Sequence, residues 1–126
     1  MLLLDTYALL WWLAGDAHLS EQARAAIERA RVVHVSAVST WEIGIKTQLG
    51  KLPGGELLLA ELPGTLEAQG FKELTISGRD AHTAGLLPRH HRDPFDRMLV
   101  AQSLRLGLPL VSNDPLLVPY GISLIW

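Results

Sequence analysis

Met1-Leu2-Leu3-Leu4-Asp5-Thr6-Tyr7-Ala8-Leu9-Leu10-Trp11-Trp12-Leu13 decides how the rest of the chain is read. Four apolar residues in an unbroken run have the character of a strand buried on both faces, and Leu9, Leu10 and Leu13 then recur at helical spacing. Asp5 falls at the junction, where a strand ends and a helix starts. Open α/β sheets bind their ligands at the carboxyl ends of the strands. An acid at such a junction is therefore a candidate for a site, and others are sought at equivalent places.

The remainder repeats the alternation. Strands are predicted at Val32–Val35, Phe71–Ile76, Leu108–Ser112 and Ile122–Trp126, and helices at Glu21–Arg31, from Ser39 to Gly50, at Ser77–Leu87 and at Phe95–Leu106. Ser39-Thr40-Trp41-Glu42 fits the capping-box pattern at a helix start. Glu56–Gln69 has helical periodicity, but Pro63-Gly64 is expected to kink or split it. Short apolar strands alternating with helices argue for βαβ units around a mostly parallel sheet. The chain of 126 residues, 48% hydrophobic, suits one compact domain spanning 1–126.

Composition removes several functions. Eleven basic against thirteen acidic residues leave no cationic bulk for duplex binding, so any nucleic-acid contact must be local. No cysteine is present, which excludes disulfides, thiolate metal sites and a thiol nucleophile, and accords with a cytoplasmic setting. Asp5 interrupts the N-terminal apolar run far short of a membrane span, and no basic segment precedes it.

Three further acids stand where Asp5 stands. Glu42 follows the second strand, Asp96 opens the helix with the clearest period, and Asp114 lies just beyond the fourth strand. Each has an ordinary reading: Asp5, Asp93 and Asp114 suit helix N-caps, and Glu42 suits the third position of the capping box. Capping does not require them all to lie at one edge of a sheet, however, and Asp93 already serves the helix that Asp96 enters. Converging carboxylates repel by roughly 1 kcal/mol per close pair in water and more at lower dielectric. A divalent cation relieves that repulsion. Without thiols, or paired histidines at ligand spacing beside the acids, the donor set is oxygen, which points to Mg²⁺ or Mn²⁺ and to a phosphate-ester substrate attacked by a metal-activated water.

Four ordered blocks resemble the PIN-domain ribonucleases, and among them the VapC-type toxins of type II toxin-antitoxin pairs. They are Leu4-Asp5-Thr6-Tyr7-Ala8-Leu9-Leu10-Trp11; Ser36-Ala37-Val38-Ser39-Thr40-Trp41-Glu42-Ile43 with Lys46 and Gly50-Lys51-Leu52; His91-Arg92-Asp93-Pro94-Phe95-Asp96-Arg97-Met98-Leu99 with Ala101-Gln102; and Ser112-Asn113-Asp114. The resemblance covers nearly the whole chain. It implies a PIN-like three-layer α/β/α sandwich with a mostly parallel central sheet. It also implies a Mg²⁺- or Mn²⁺-dependent endoribonuclease, with Asp5, Glu42, Asp96 and Asp114 as catalytic and metal-holding acids and Asp93 as an additional acid. A VapB-type antitoxin and a homodimer follow from the same likeness. Tyr7 stands where this subgroup often has His, Ser112 where it often has Thr, and Asn113 is neutral; no carboxylate is lost.

Around the acids, Thr6, Ser39 and Ser112 have hydroxyls suited either to orienting the carboxylates or to capping. Arg89, His91 and Arg92 form the densest basic stretch, read either as an RNA contact or as a solvated loop. For Arg97 an ion pair with a neighbouring acid is preferred to an RNA phosphate. Lys46, four residues after Glu42, suits a salt bridge. Adjacent Trp11 and Trp12 point apart, so both are not expected in one core stripe; one of them facing an antitoxin segment, and burial in the core or a homodimer interface, are equally open readings. Two rivals remain: a phosphatase forming an aspartyl-phosphate on Asp5, which lacks the usual second acid at Tyr7, and a non-catalytic module binding RNA or protein.

Overall fold

The computed structural model describes residues 1–126. The chain runs β1 (Leu2–Leu4), α1 (Thr6–Ala14), α2 (Glu21–Arg29), β2 (Val33–Ser36), α3 (Ala37–Gln48), α4 (Gly55–Gln69), β3 (Lys72–Leu74), α5 (Gly78–Leu86), α6 (Pro94–Leu106), β4 (Leu110–Val111), a 3₁₀ turn (Pro115–Tyr120) and β5 (Leu124–Ile125). The five strands form one sheet in the order β3-β2-β1-β4-β5, and every pairing is parallel. The expected α/β class therefore holds, with an entirely parallel sheet.

Strand periodicity divides the core into two layers. Leu2, Leu4, Val33, Val35 and Val111 face one side and pack with Ala8, Leu9, Ala23, Ile27, Leu62 and Leu66. Leu3 and Leu110, one residue out of phase, face the other and pack with Leu99, Val100 and Leu117. Alternate residues of a strand point to opposite faces, so continuous apolar runs such as Leu2–Leu4 are what a doubly covered sheet needs. Helices close where the backbone turns left-handed at Gly15 and Gly107, both with φ of 63°.

Two local expectations are corrected, and the tryptophan pair is placed. Helix α3 begins at Ala37, with Ser36 as its N-cap accepting from Val38 N–H at 3.1 Å, so Ser39 is inside the helix and Glu42 closes no capping box. Helix α4 passes through Pro63 unbroken. Pro63 lies on its exposed face, while Leu62 and Leu66 stay buried. Trp11 and Trp12 are both half-buried: Trp11 packs on Tyr7, His18 and Trp126, and Trp12 on Phe71 with its indole N–H donating to Gln69 at 3.0 Å. No helix is long and apolar enough to cross a membrane.

Candidate active site

Strand β1 is the point where the sheet order reverses, since β2 and β3 extend from it on one side and β4 and β5 on the other. The chain ends leaving β1 and β4 diverge there and open a crevice. Asp5 sits at the end of β1 and Asp114 three residues beyond β4; α3 brings in Glu42 from behind β2, and the N-terminus of α6 brings in Asp96. All four line one cavity of about 370 Å³, together with Asp93, Thr6, Tyr7, Lys46, His91 and Asn113. Acids separated by up to most of the chain thus meet in one place.

Capping and pocket lining prove compatible, because a carboxylate has two oxygens. Asp5 Oδ1 accepts from Ala8 N–H at 2.7 Å, Asp93 Oδ1 from Phe95 N–H at 2.8 Å, and Asp114 Oδ1 from Leu116 N–H at 2.9 Å. The second oxygen of each remains, and Asp114 Oδ2 is turned to His91 Nε2 at 2.7 Å. The caps fix the acids rigidly at the helix starts. Thr6 and Ser39, both buried, are joined by a 3.0 Å hydrogen bond from the threonine to the serine hydroxyl, which ties α1 to α3 beneath Asp5 and Glu42. Ser112 is buried at the end of β4, and its hydroxyl accepts from Asp114 N–H at 3.2 Å.

The electrostatics record the crowding. Burial pushes the Asp5 carboxyl up to about 6; the Glu42 and Asp114 charges add to this, against the Ser112 hydroxyl and the Ala8 N–H. Burial likewise pushes Asp96 up to about 7, with Asp93, Asp5 and Glu42 contributing and His91 opposing. Cations are few. Lys46 Nζ lies 2.6 Å from Glu42 Oε2 and donates to the Tyr7 hydroxyl at 2.9 Å. Burial disfavours its charge, but these two partners outweigh that and hold the ammonium above its ordinary range. Glu42 is thereby a paired acid, as the i, i+4 spacing indicated.

His91 takes a place that sequence reasoning missed. Its Nε2 lies 2.7 Å from Asp114 Oδ2 and 3.1 Å from Asp96 Oδ2, and the three ligand atoms all fall within 4.8 Å of one another. Nothing periodic relates residues 91, 96 and 114, so only the fold reveals the grouping. Arg89 and Arg92 are exposed and line a neighbouring cleft of about 830 Å³ with His91 and Arg97.

Arg97 corrects its expectation: it pairs with no acid. Its guanidinium donates to the backbone carbonyls of Ala84, Gly85, Leu87, Pro88 and His91 at 2.9–3.4 Å, which gathers the end of α5 and the following loop around one fork. With Nη1 and Nη2 committed to carbonyls, it is a poor candidate for RNA contact. Both carbonyl ends of a helix and loop need donors, and sequence does not show which side chain supplies them.

Carboxylates at a parallel-sheet switch point, held by caps and short of cations, define a class of acid-pocket α/β domains, and comparison supplies the family. Residues 2–118 match the family model described as PIN domain. The chain is 31% identical over 113 residues to ribonuclease VapC22 of Mycobacterium tuberculosis, covering 89% of this chain and 85% of that protein. It therefore belongs to the PIN-domain family, in its VapC-type branch. Its fold is similar to FitAcB from Neisseria gonorrhoeae, with TM-score 0.71, 16% identity and 98% and 96% of the two chains covered. It is also similar to VapBC2 from Rickettsia felis, solved with a DNA fragment from their promoter, with TM-score 0.68, 12% identity and 97% and 95% covered.

Proposed function

We propose that this chain is a single-domain, divalent-cation-dependent endoribonuclease and the toxin of a VapBC-type pair. The observation that carries this reading is the convergence of Asp5, Glu42, Asp96 and Asp114 on one cavity in a chain whose relative VapC22 is a ribonuclease. The donor set fits the cation. It is almost wholly carboxylate oxygen, rigidly capped, and burial, with repulsion from neighbouring acids added, lifts two members far above the ordinary carboxylate range. Asp5, Asp96 and Asp114 would hold Mg²⁺ or Mn²⁺, with Glu42 beside them. Such a cation supplies acidified water and charge neutralisation at the phosphate when bound.

The chain's own residues would do the rest. Asp5, anchored through Ala8 N–H, and Asp114, anchored through Leu116 N–H, keep one oxygen each for the pocket. Lys46 balances Glu42 and limits the net charge that an RNA phosphate meets. Arg89 and Arg92 beside the pocket are placed to hold the flanking backbone phosphates. A VapB-type antitoxin belongs to this reading, since the Rickettsia felis relative is a VapBC pair. So does a homodimer, for which Trp41, 58% exposed and packed edge-on against Phe95, offers apolar surface.

The test is cleavage of a mixed cellular RNA pool by purified, antitoxin-free protein in Mg²⁺, Mn²⁺ or EDTA, beside Asp5→Asn. Discrete cuts that require the cation and vanish in the variant are expected. Asn keeps the cap to Ala8, so the variant should stay folded. A folded protein that cuts no RNA in any lane would favour the non-catalytic binding module.

A further inference from the structure

The acidic cavity and the basic cleft share one wall residue, His91. Its backbone is clamped: the His91 N–H donates to the Tyr120 hydroxyl at 3.0 Å, and its carbonyl accepts from Arg97 at 3.3 Å. The same two side chains hold the Pro88 carbonyl, by Tyr120 Oη at 2.7 Å and Arg97 Nη1 at 3.1 Å. The ring has a different kind of restraint. Nδ1 accepts from Asp93 N–H at 3.1 Å, which leaves the ring proton on Nε2, and that N–H is set against Asp114 Oδ2 and Asp96 Oδ2. While Asp93 N–H is so bonded, Nε2 has no lone pair for a cation. It occupies the two carboxylate oxygens that a cation between Asp96 and Asp114 would need.

We propose that His91 is a two-position side chain that holds the Asp96–Asp114 pair until a divalent cation displaces it, whereupon its ring turns into the basic cleft and donates to an RNA phosphate beside Arg89 and Arg92. This rests on the cation-dependent nuclease reading of the pocket. The clamp on the main chain confines the change to side-chain torsions, and the cleft of about 830 Å³ that His91 also lines provides the room. Cation and RNA then favour the same ring position, so each strengthens binding of the other.

The test measures Mn²⁺ binding from the electron paramagnetic resonance signal of free Mn²⁺, using the full chain as wild type, His91→Ala, His91→Asn and Asp96→Asn. Both His91 variants lose the competing bridge and should bind Mn²⁺ about tenfold more tightly than wild type, from the loss of one hydrogen bond to charged partners. Anisotropy of a labelled single-stranded RNA, with Ca²⁺ exchanged for EDTA, should show a cation-driven gain in affinity that is smaller in His91→Ala than in wild type. Thermal melts establish that each variant is folded, and His91→Asn alone decides the point if His91→Ala is not. Weaker Mn²⁺ binding in the variants would make His91 a ligand and overturn the proposal; unchanged binding would overturn it too. Wild-type protein that binds no Mn²⁺, or binds it regardless of Asp96→Asn, would instead remove the cation reading of the pocket on which the proposal stands.

Discussion

Asp96→Asn is expected to make the protein more stable while removing a carboxylate from the pocket. Burial, with the Asp93 and Asp5 carboxylates, pushes Asp96 up to about 7 from its ordinary 3.8. An unfolded chain releases that proton near 3.8, so from there to about 7 the native state holds a proton that the unfolded state does not. Stability falls as the pH climbs through this window, and the whole penalty is present above it. Each pH unit across the window is worth about 1.4 kcal/mol, which bounds the penalty near 4 kcal/mol. Screening by water in the cavity and the interaction with neighbouring carboxylates reduce this to about 2 kcal/mol. Asparagine keeps an oxygen for His91 but forfeits a carboxylate in the first turn of α6, worth about 0.5 kcal/mol. A net gain of about 1–2 kcal/mol corresponds to a rise in Tm of about 4–8 °C for a domain of this size. Calorimetry in EDTA at pH 8 should show the rise, and it should shrink as the pH is lowered towards 4. An equal or lower Tm for Asp96→Asn at pH 8, or a gain indifferent to pH, would refute the reasoning.

Three other substitutions probe the scaffold. Arg97→Lys cannot reproduce the fork that spans the carbonyls from Ala84 to His91 and should cost about 2–3 kcal/mol in urea unfolding. Asp80 is fully buried against Arg105 and within the Ser77 capping box; although burial opposes its charge, Arg105, the Ser77 N–H and Gln102 hold it down at about 2. Its contribution is therefore complete above about 4 and lost as the pH falls towards 2, and Asp80→Asn should lower stability by about 2–3 kcal/mol at pH 7, read from the urea midpoint. Pro63→Ala restores a donor to the exposed face of α4 and should raise stability by about 1–2 kcal/mol in the same assay.

These residues also mark where sequence stops being informative. The alternation of apolar runs with helical periods made the parallel sheet legible, because burial on both faces leaves a continuous apolar run that few other environments tolerate. The acids were legible for a related reason: Asp5 and Asp114 interrupt or follow such runs, where a charge has no packing purpose. Ser39 misled because Ser36 and Ser39 are both competent caps, and only the backbone path from β2 chooses Ser36. Arg97 misled because its partners are five main-chain carbonyls, which carry no residue signature. His91 stood in the right block, yet its contact with Asp114 depends on a loop clamped by Tyr120 and Arg97, a long-range arrangement that spacing does not encode. The unbroken α4 shows that exposure can make a proline tolerable where propensity alone predicts a break.

The most direct measurement of the central claim is anomalous diffraction from crystals of the chain grown with Mn²⁺. A manganese peak bounded by the carboxylates of Asp5, Asp96 and Asp114 is predicted, with the His91 ring turned away from Asp114. A well-ordered pocket with no manganese among those acids at saturating Mn²⁺, or manganese bound only elsewhere on the protein, would contradict the account.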